Sequence, residues 1–334
     1  MAFTNTELAA TLQRRSKGYL NVISRQIPLW FWLRRAKRYI STNGGTQIEF
    51  NLEYALDEEE ASYDDYDTIP VIPQDNVEIA IANWKNYAKT IAINGPEKRV
   101  NSGQRIFTLL KQKERNALES LQQQWNTHAY EDGTANSGKR ITGLKAIIAS
   151  DPTTGTLFNL DRSTRTYWQN YTVDTAGAAY NTTTKKSLMW VDMHDLWIKT
   201  GRLKSGGVDN KHVDLILCTE AYFKLYAEVG QISGQRFTNV MKLDAGFTTL
   251  EFMGATMIND EDMPADAGSD AQAYFINSRF MELRYHPQAN LSLTEMLGMV
   301  EQDAFSKRVL WMGELICTNT RKQGLHEGVQ AVTS

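Results

Sequence analysis

The stretch Gly133-Thr-Ala-Asn-Ser-Gly138-Lys139-Arg140 comes within one residue of G-x-x-x-x-G-K-[ST]. In that motif backbone N–H groups cradle a nucleotide's phosphates and the closing hydroxyl holds magnesium. Arg140 stands where the hydroxyl belongs, and the loop follows a long helical pattern instead of joining a strand to a helix, so both tests of context fail. Asp192, His194 and Asp195 put metal-ligand atoms close together. On a helix, however, positions 192 and 194 point to different faces, whereas a helical metal site uses i, i+4 spacing. His128, His212, His286 and His326 are scattered, and Cys218 and Cys317 lie in apolar runs with no C-x-x-C partner, which argues against a disulfide framework or a zinc site. No G-x-S-x-G elbow and no G-x-G-x-x-G loop is present. The residues assign no catalytic group, no cofactor and no metal site, and the protein is not expected to be an enzyme.

The composition of the whole chain is that of a folded body. Its 334 residues are 42% hydrophobic and 22% charged, the profile of an ordered globular protein with a sizeable core. With 36 Lys+Arg against 39 Asp+Glu the formal charge is −3, too near zero for a dedicated nucleic-acid-coating protein. A spanning helix needs about 20 apolar residues, and no stretch approaches that, so the chain reads as soluble, unanchored and cytoplasmic.

Charge is unevenly spread. Residues 1–45 carry eight basic residues against the single acidic Glu7, which leaves a net −10 on the remainder. A basic arm on an acidic body reads as a segment that docks on something else. Trp30, Phe31 and Trp32 favour protein as that partner, because three large rings in five residues need a surface to leave water. Trp30, Trp32, Arg34, Arg35 and Arg38 are therefore candidate contacts to another subunit.

From residue 46 Ile48, Phe50, Leu52 and Tyr54 alternate with Gln47, Glu49, Asn51 and Glu53, the period of a strand with one apolar face. A second alternating run places Val77, Ile79, Ile81, Tyr87, Ile91 and Ile93 on odd positions. Between them, residues 55–76 hold Asp57, Glu58, Glu59, Glu60, Asp64, Asp65 and Asp67, then Pro70 and Pro73. Such a connection is longer than compact domains usually tolerate without a functional reason. The pattern fits an extended hairpin with an acidic tip. Another subunit covering Ile48, Phe50 and Leu52 would explain its stability, since an isolated hairpin is marginal in water; packing on its own chain, with a solvated acidic tip, fits equally well.

Beyond Pro96, Asn101 and Gln104 are placed for a capping box, and Ile106, Phe107, Leu110, Ala117, Leu118, Leu121 and Trp125 recur at helical spacing to about Tyr130. Residues 133–174 read as turns and short strands. Then follow a helix over 188–198, a buried strand over 213–218, a helix capped by Thr219, short strands at 250–258, 274–277 and 280–285, and a last apolar strand over 309–318. Strands and helices mixed without a βαβ repeat give the α+β class.

The second half resembles a known family. Gly143-Leu144, Asp151-Pro-Thr-Thr-Gly-Thr156, Asp161-Arg162, Trp168-Gln-Asn170, Asp214-Leu-Ile-Leu-Cys-Thr219, Tyr222 and Leu225-Tyr226 run in the order found in tailed-bacteriophage major capsid proteins. Gln235-Arg236-Phe237, Gly246-Phe247, Phe252-Met-Gly254-Ala255, Asn259-Asp260 and Tyr274-Phe-Ile-Asn277 continue the series, which covers about residues 140–325. The resemblance implies the Johnson-type capsid fold: an N-terminal arm (1–45), an extended hairpin loop (46–95), a spine helix with peripheral domain (96–185), an axial domain (186–295), and a return to the peripheral domain with a C-terminal tail (296–334).

It also implies a function. The chain would assemble into pentamers and hexamers of an icosahedral phage head enclosing double-stranded DNA, with weak non-specific contact to that DNA. Its partners would be itself, a separate scaffolding protein, a portal and a cement protein, with no membrane; it would be made in the bacterial cytoplasm and end in the virion. The expectation of a separate scaffold rests on the arm beginning directly at the N-terminus. Residues 55–76 contain no Lys, against the self-made Lys–Asn cross-link of some relatives. An encapsulin-type nanocompartment shell is the rival reading, and a nucleotide-binding enzyme using Gly133–Arg140 the remote one. Within the family reading, opposite charge suggests that Asp57, Glu58, Glu59, Glu60, Asp64, Asp65 and Asp67 of one subunit meet Arg34, Arg35 and Arg38 of another.

Overall fold

A computed structural model describes residues 27–54, 62, 64–65, 75–100, 104–175, 183–201, 212–232, 249–265, 271–299 and 302–330. Two sheets organise them. The first combines β1 (Tyr39–Ser41), β4 (Lys85–Asn94), β12 (Met281–Leu293), β13 (Leu297–Gly298) and β14 (Ala304–Cys317), with β14 between β4 on one side and β12 and β13 on the other. The second runs β7-β15-β11-β8-β10-β9, built from β7 (Tyr171–Asp174), β8 (Leu215–Cys218), β9 (Thr249–Phe252), β10 (Ala255–Asn259), β11 (Ala271–Ile276) and β15 (Gly324–Val329).

The second sheet is buried on both faces, which is why β8 reads as the unbroken apolar run Leu-Ile-Leu-Cys. Leu215, Leu217, Tyr274 and Ile276 face one apolar core, shared with the first sheet; Ile216, Cys218, Ala273 and Phe275 face another. Helices α3 (Thr183–Gly201) and α4 (Glu220–Ile232) cover that second core with Met189, Met193, Leu196, Tyr222, Leu225 and Tyr226. The expected cap is present: Tyr222 N–H donates to Thr219 Oγ1 at 3.4 Å.

The long helix α2 spans Gln104–Tyr130, 27 residues, or about 40 Å. Its expected cap, Asn101, lies outside the described residues. Leu110, Leu118, Leu121, Trp125 and Ala129 form its buried stripe, while Lys111, Gln112, Arg115 and Asn116 face solvent. Glu114 falls on the buried stripe and is fully enclosed, where it meets the equally buried Lys307 of β14 at 3.0 Å.

The second alternating run is not one strand. β2 (Gln47–Glu53) pairs antiparallel with β3 (Val77–Asn83), but after Trp84 the chain leaves this ribbon and β4 joins β14 in the first sheet. The sheets also cross the expected segment borders. Part of the arm, β1, lies parallel to β12; β12, expected in the axial segment, pairs with β14, and β15, expected in the return segment, pairs with β11. Among the described residues no helix is long and apolar enough to cross a membrane.

Candidate subunit interface

Helix α1 (Pro28–Arg35) begins with Pro at its first position, which suits the fixed proline φ and needs no N–H there. Its aromatic residues do not wait for a partner. Trp30 is 2% exposed and packs in the chain's own core, with ring centroids 4.7 Å from Trp125 and 5.7 Å from Tyr39. Trp32 is half-buried and donates from Nε1 to Asp214 Oδ2 at 2.9 Å. The same carboxylate accepts the Ser278 N–H at 2.7 Å, so the arm's last helix is tied to the start of β8. The expectation of docking on another subunit is thus corrected for Trp30: nearby rings of the same chain supply the surface. Arg34 and Arg35 lie over the rings of Tyr39 and Trp32, and Arg38 pairs with Glu282 at 3.4 Å.

The hairpin is corrected in the same direction. Ile48, Phe50 and Leu52 are 1%, 6% and 6% exposed, buried against their own chain. Phe50 meets Phe158 edge-on at 5.6 Å, the Arg284 guanidinium lies 5.9 Å from its ring, and Ile81 N–H donates to the Phe158 carbonyl at 3.0 Å. Phe158 belongs to the tight turn between β5 (Thr156–Leu157) and β6 (Leu160–Asp161), a small ribbon that fills the place imagined for a neighbour. Glu78 locks the contact by accepting from Arg165 Nε at 2.7 Å and from the Tyr167 hydroxyl, and these bonds hold its carboxyl below the usual range.

Pairing register explains what alternation alone could not. Ile48, Phe50 and Leu52 sit opposite Ala82, Ala80 and Glu78, so Val77 and Ile79 fall on the other side of the ribbon with Asn51 and Glu53. Val77 and Ile79 are 50% and 51% exposed. Of the acidic tip, Asp64 and Asp65 are exposed, while Asp57, Glu58, Glu59, Glu60 and Asp67 lie outside the described residues.

A second exposed apolar surface escaped the sequence reading. Leu188, Val191 and Ile198 form a stripe on α3 opposite the side that buries Met189, Met193 and Leu196. Its signal was present: residues 188–198 are apolar around most of the helix, and such helices belong in an interior.

Nothing in the described residues builds a reaction centre. Residues 135–138 form a turn after α2 with Asn136 and Ser137 in the left-handed region, Lys139 is exposed and Arg140 pairs with Glu131, so the strand–loop–helix setting of a phosphate loop is absent there. Asp195 pairs with Lys199 at 2.7 Å, and His194 stacks 6.2 Å from Trp197. Among the described residues no group of three or more His, Cys, Asp or Glu side chains could hold a metal ion. Both cysteines are buried and free; burial pushes the Cys317 thiol up to about 12, so it is not a nucleophile at ordinary pH. Asp260, raised by burial, accepts from the Tyr130 hydroxyl at 2.7 Å and from Asn126, a network internal to the core. A cavity of about 10 Å³ between Trp30, Trp125 and Trp311 has room for about one water and no substrate.

No family model and no curated protein matches the chain. Solved structures do. The capsid asymmetric unit of cyanophage A-1(L) is similar at a TM-score of 0.61 and 15% identity, over 89% of this chain and 91% of that one. The holo-SrpI encapsulin complex of Synechococcus elongatus PCC 7942 gives 0.60 at 11% identity, over 90% and 88%. The capsid of the native GTA particle gives 0.56 at 14%, over 88% and 89%. Taken with the two sheets, their shared core and the long helix, likeness over nearly the whole length establishes that this α+β chain has the Johnson-type capsid fold found in tailed-phage heads and encapsulin shells.

Proposed function

We propose that the protein is the major capsid protein of a tailed phage, a structural subunit that assembles into pentamers and hexamers of an icosahedral head around double-stranded DNA. The observation that carries this reading is the capsid fold, matched end to end over about nine-tenths of both chains. Exposed apolar residues on two separate elements, β3 and α3, support an associative role, because a lone chain leaves them in water. A stable contact between two copies buries about 1,600 Å² in total, and several such contacts made together multiply weak affinities.

The contact surface proposed here differs from the one expected from sequence. Val77 and Ile79 replace Ile48, Phe50 and Leu52, and Leu188, Val191 and Ile198 replace Trp30. Of Arg34, Arg35 and Arg38, Arg35 is the exposed one and is the cation proposed to meet the acidic residues of 57–67 on another copy, a surface pairing worth about 0–1 kcal/mol. A separate scaffolding protein, a portal and a cement protein are the further partners of this reading, and the virion, assembled in the bacterial cytoplasm, is its place.

The encapsulin shell is retained as a second reading because its TM-score of 0.60 stands beside 0.61 for the cyanophage capsid. The contents of purified particles separate the two. Nuclease-protected DNA and a portal vertex are expected; a co-purifying cargo protein without DNA would replace the phage reading with the compartment.

A further inference from the structure

Residues 133–142, the loop that resembles a phosphate cradle in sequence, are wound into a strained conformation. Gly133, Asn136, Ser137 and Gly138 have φ of 79°, 55°, 57° and 71°. For Asn136 and Ser137 the left-handed region is costly, so the loop persists only if its surroundings hold it. Side-chain tethers do so, beginning with Asp132 Oδ1, which accepts the Thr134 N–H at 3.0 Å and the Thr134 hydroxyl at 2.8 Å. Lys85 Nζ donates to the Gly138 carbonyl at 2.5 Å, and Arg140 pairs with Glu131 at 2.5 Å. Ile141 N–H donates to the Tyr87 hydroxyl at 3.1 Å, which in turn meets His128 Nδ1 at 3.0 Å. Thr142 N–H donates to Glu314 Oε1 at 2.7 Å.

Glu314 is the member out of place. Its side chain is fully buried on β14, Oε1 also accepts the Leu315 N–H at 3.0 Å, and Oε2 is buried with no hydrogen-bond partner. Lys85 faces it from β4 but its ammonium is held by Gly138. Arg284 stands opposite in register on β12, where its guanidinium is held by Glu282 at 3.0 Å. Tyr87 lies nearby on β4, and His128, Glu131, Arg140 and Asp132, with Lys145 beside Asp132, are charged groups around the loop. A carboxylate in this setting would be a buried charge lacking a committed cation, which is costly; a carboxylic acid is not.

We propose that residues 133–142 are a proton-operated clasp across the joint between the end of α2 and β14, closed while the Glu314 carboxyl is protonated and released as it loses its proton. The loss would leave a buried anion, and the opened loop, which lets water reach the carboxylate, relieves that cost. Burial raises the Glu314 carboxyl from 4.5 to about 8 in the closed form. The open form ionises at the ordinary value, so opening gains with rising pH up to about 8 and then levels. His128, lowered by burial and then by Arg140, acts in the opposite sense below 6.5, because the open form takes up its proton more readily.

Hydrogen–deuterium exchange of the full-length chain, read at the amides of Ile141 and Thr142 and corrected for intrinsic rates, tests the clasp. Protection should fall about tenfold per pH unit between pH 6.5 and 8, then become flat. Glu314→Gln, which mimics the neutral acid, should abolish that slope, and His128→Gln should extend the slope to lower pH. Lys85→Met should lower protection at every pH while keeping the slope. Constant protection in the wild type, the same slope in Glu314→Gln, or loss of the slope in Lys85→Met would each overturn the proposal.

Discussion

Lys307 of β14 and Glu114 of α2 form an ion pair with 2% and 0% of their side chains exposed. Removing one partner leaves a desolvated charge behind, so Lys307→Met should destabilise the fold by about 3–5 kcal/mol in urea titrations. The double variant Lys307→Met with Glu114→Leu should recover most of that loss, because an apolar pair of similar volume removes both desolvation costs. Two further buried groups give stability opposite dependences on pH. Glu314 ionises at about 8 in the folded chain against 4.5 unfolded, so its contribution is complete below 4.5 and is lost as pH rises to about 8. His326, buried beside the Tyr222 hydroxyl at 2.7 Å, is lowered from 6.5 to about 3, so its contribution is complete above 6.5 and is lost as pH falls towards 3. Denaturation midpoints measured from pH 4 to 9 should therefore rise for Glu314→Gln relative to wild type progressively between about pH 4.5 and 8, with no gain at pH 4. A gain of equal size at pH 4 would show that burial of the carboxyl is not the cause. None of these groups was legible in the sequence: a Glu at a core position of an amphipathic helix or an apolar strand looks like any surface Glu until its neighbours are known.

At the scale of the element, the two faces of the β2–β3 ribbon make opposite predictions. Phe50→Ala removes a ring packed on Phe158 and should cost about 3–5 kcal/mol of stability in the isolated subunit. Val77→Ser with Ile79→Ser alters only the outer face, and should change stability by no more than about 0.5 kcal/mol per site while reducing the assembled fraction in sedimentation runs. A stability loss comparable to that of Phe50→Ala would mean that the outer face is packed in the subunit itself. Alternation in Gln47–Glu53 was enough to read a strand with one buried face. It could not say which chain buries that face, because side-chain period is local and the covering ribbon, β5–β6, begins at Thr156, far along the chain from Glu53. The run from Val77 to Ile93 was misread for a related reason. Its odd-position pattern continues through Trp84, yet the backbone changes partners there, from β2 to β14, and periodicity carries no record of pairing.

For the whole molecule, the α+β class, the order of arm, hairpin and long helix, and the strands of the second half could all be read from spacing and from the ordered series of short motifs. Sheet membership could not, since β1 and β15 each join strands far away in the chain. The interface was the least legible part: burial within the subunit and burial between subunits place the same residue types in the same pattern, and only the folded chain shows that Trp30 and Phe50 are already covered while Leu188 and Val191 are not. What remains uncovered is the basis for assigning association as the protein's work. Sedimentation velocity of the purified chain, alone and co-expressed with a scaffolding protein, addresses that assignment most directly. Capsomer rings or closed shells, lost when Val77, Ile79, Leu188 and Val191 are replaced together by Ser, are the predicted result; a chain that stays monomeric at every concentration with and without scaffold would contradict it.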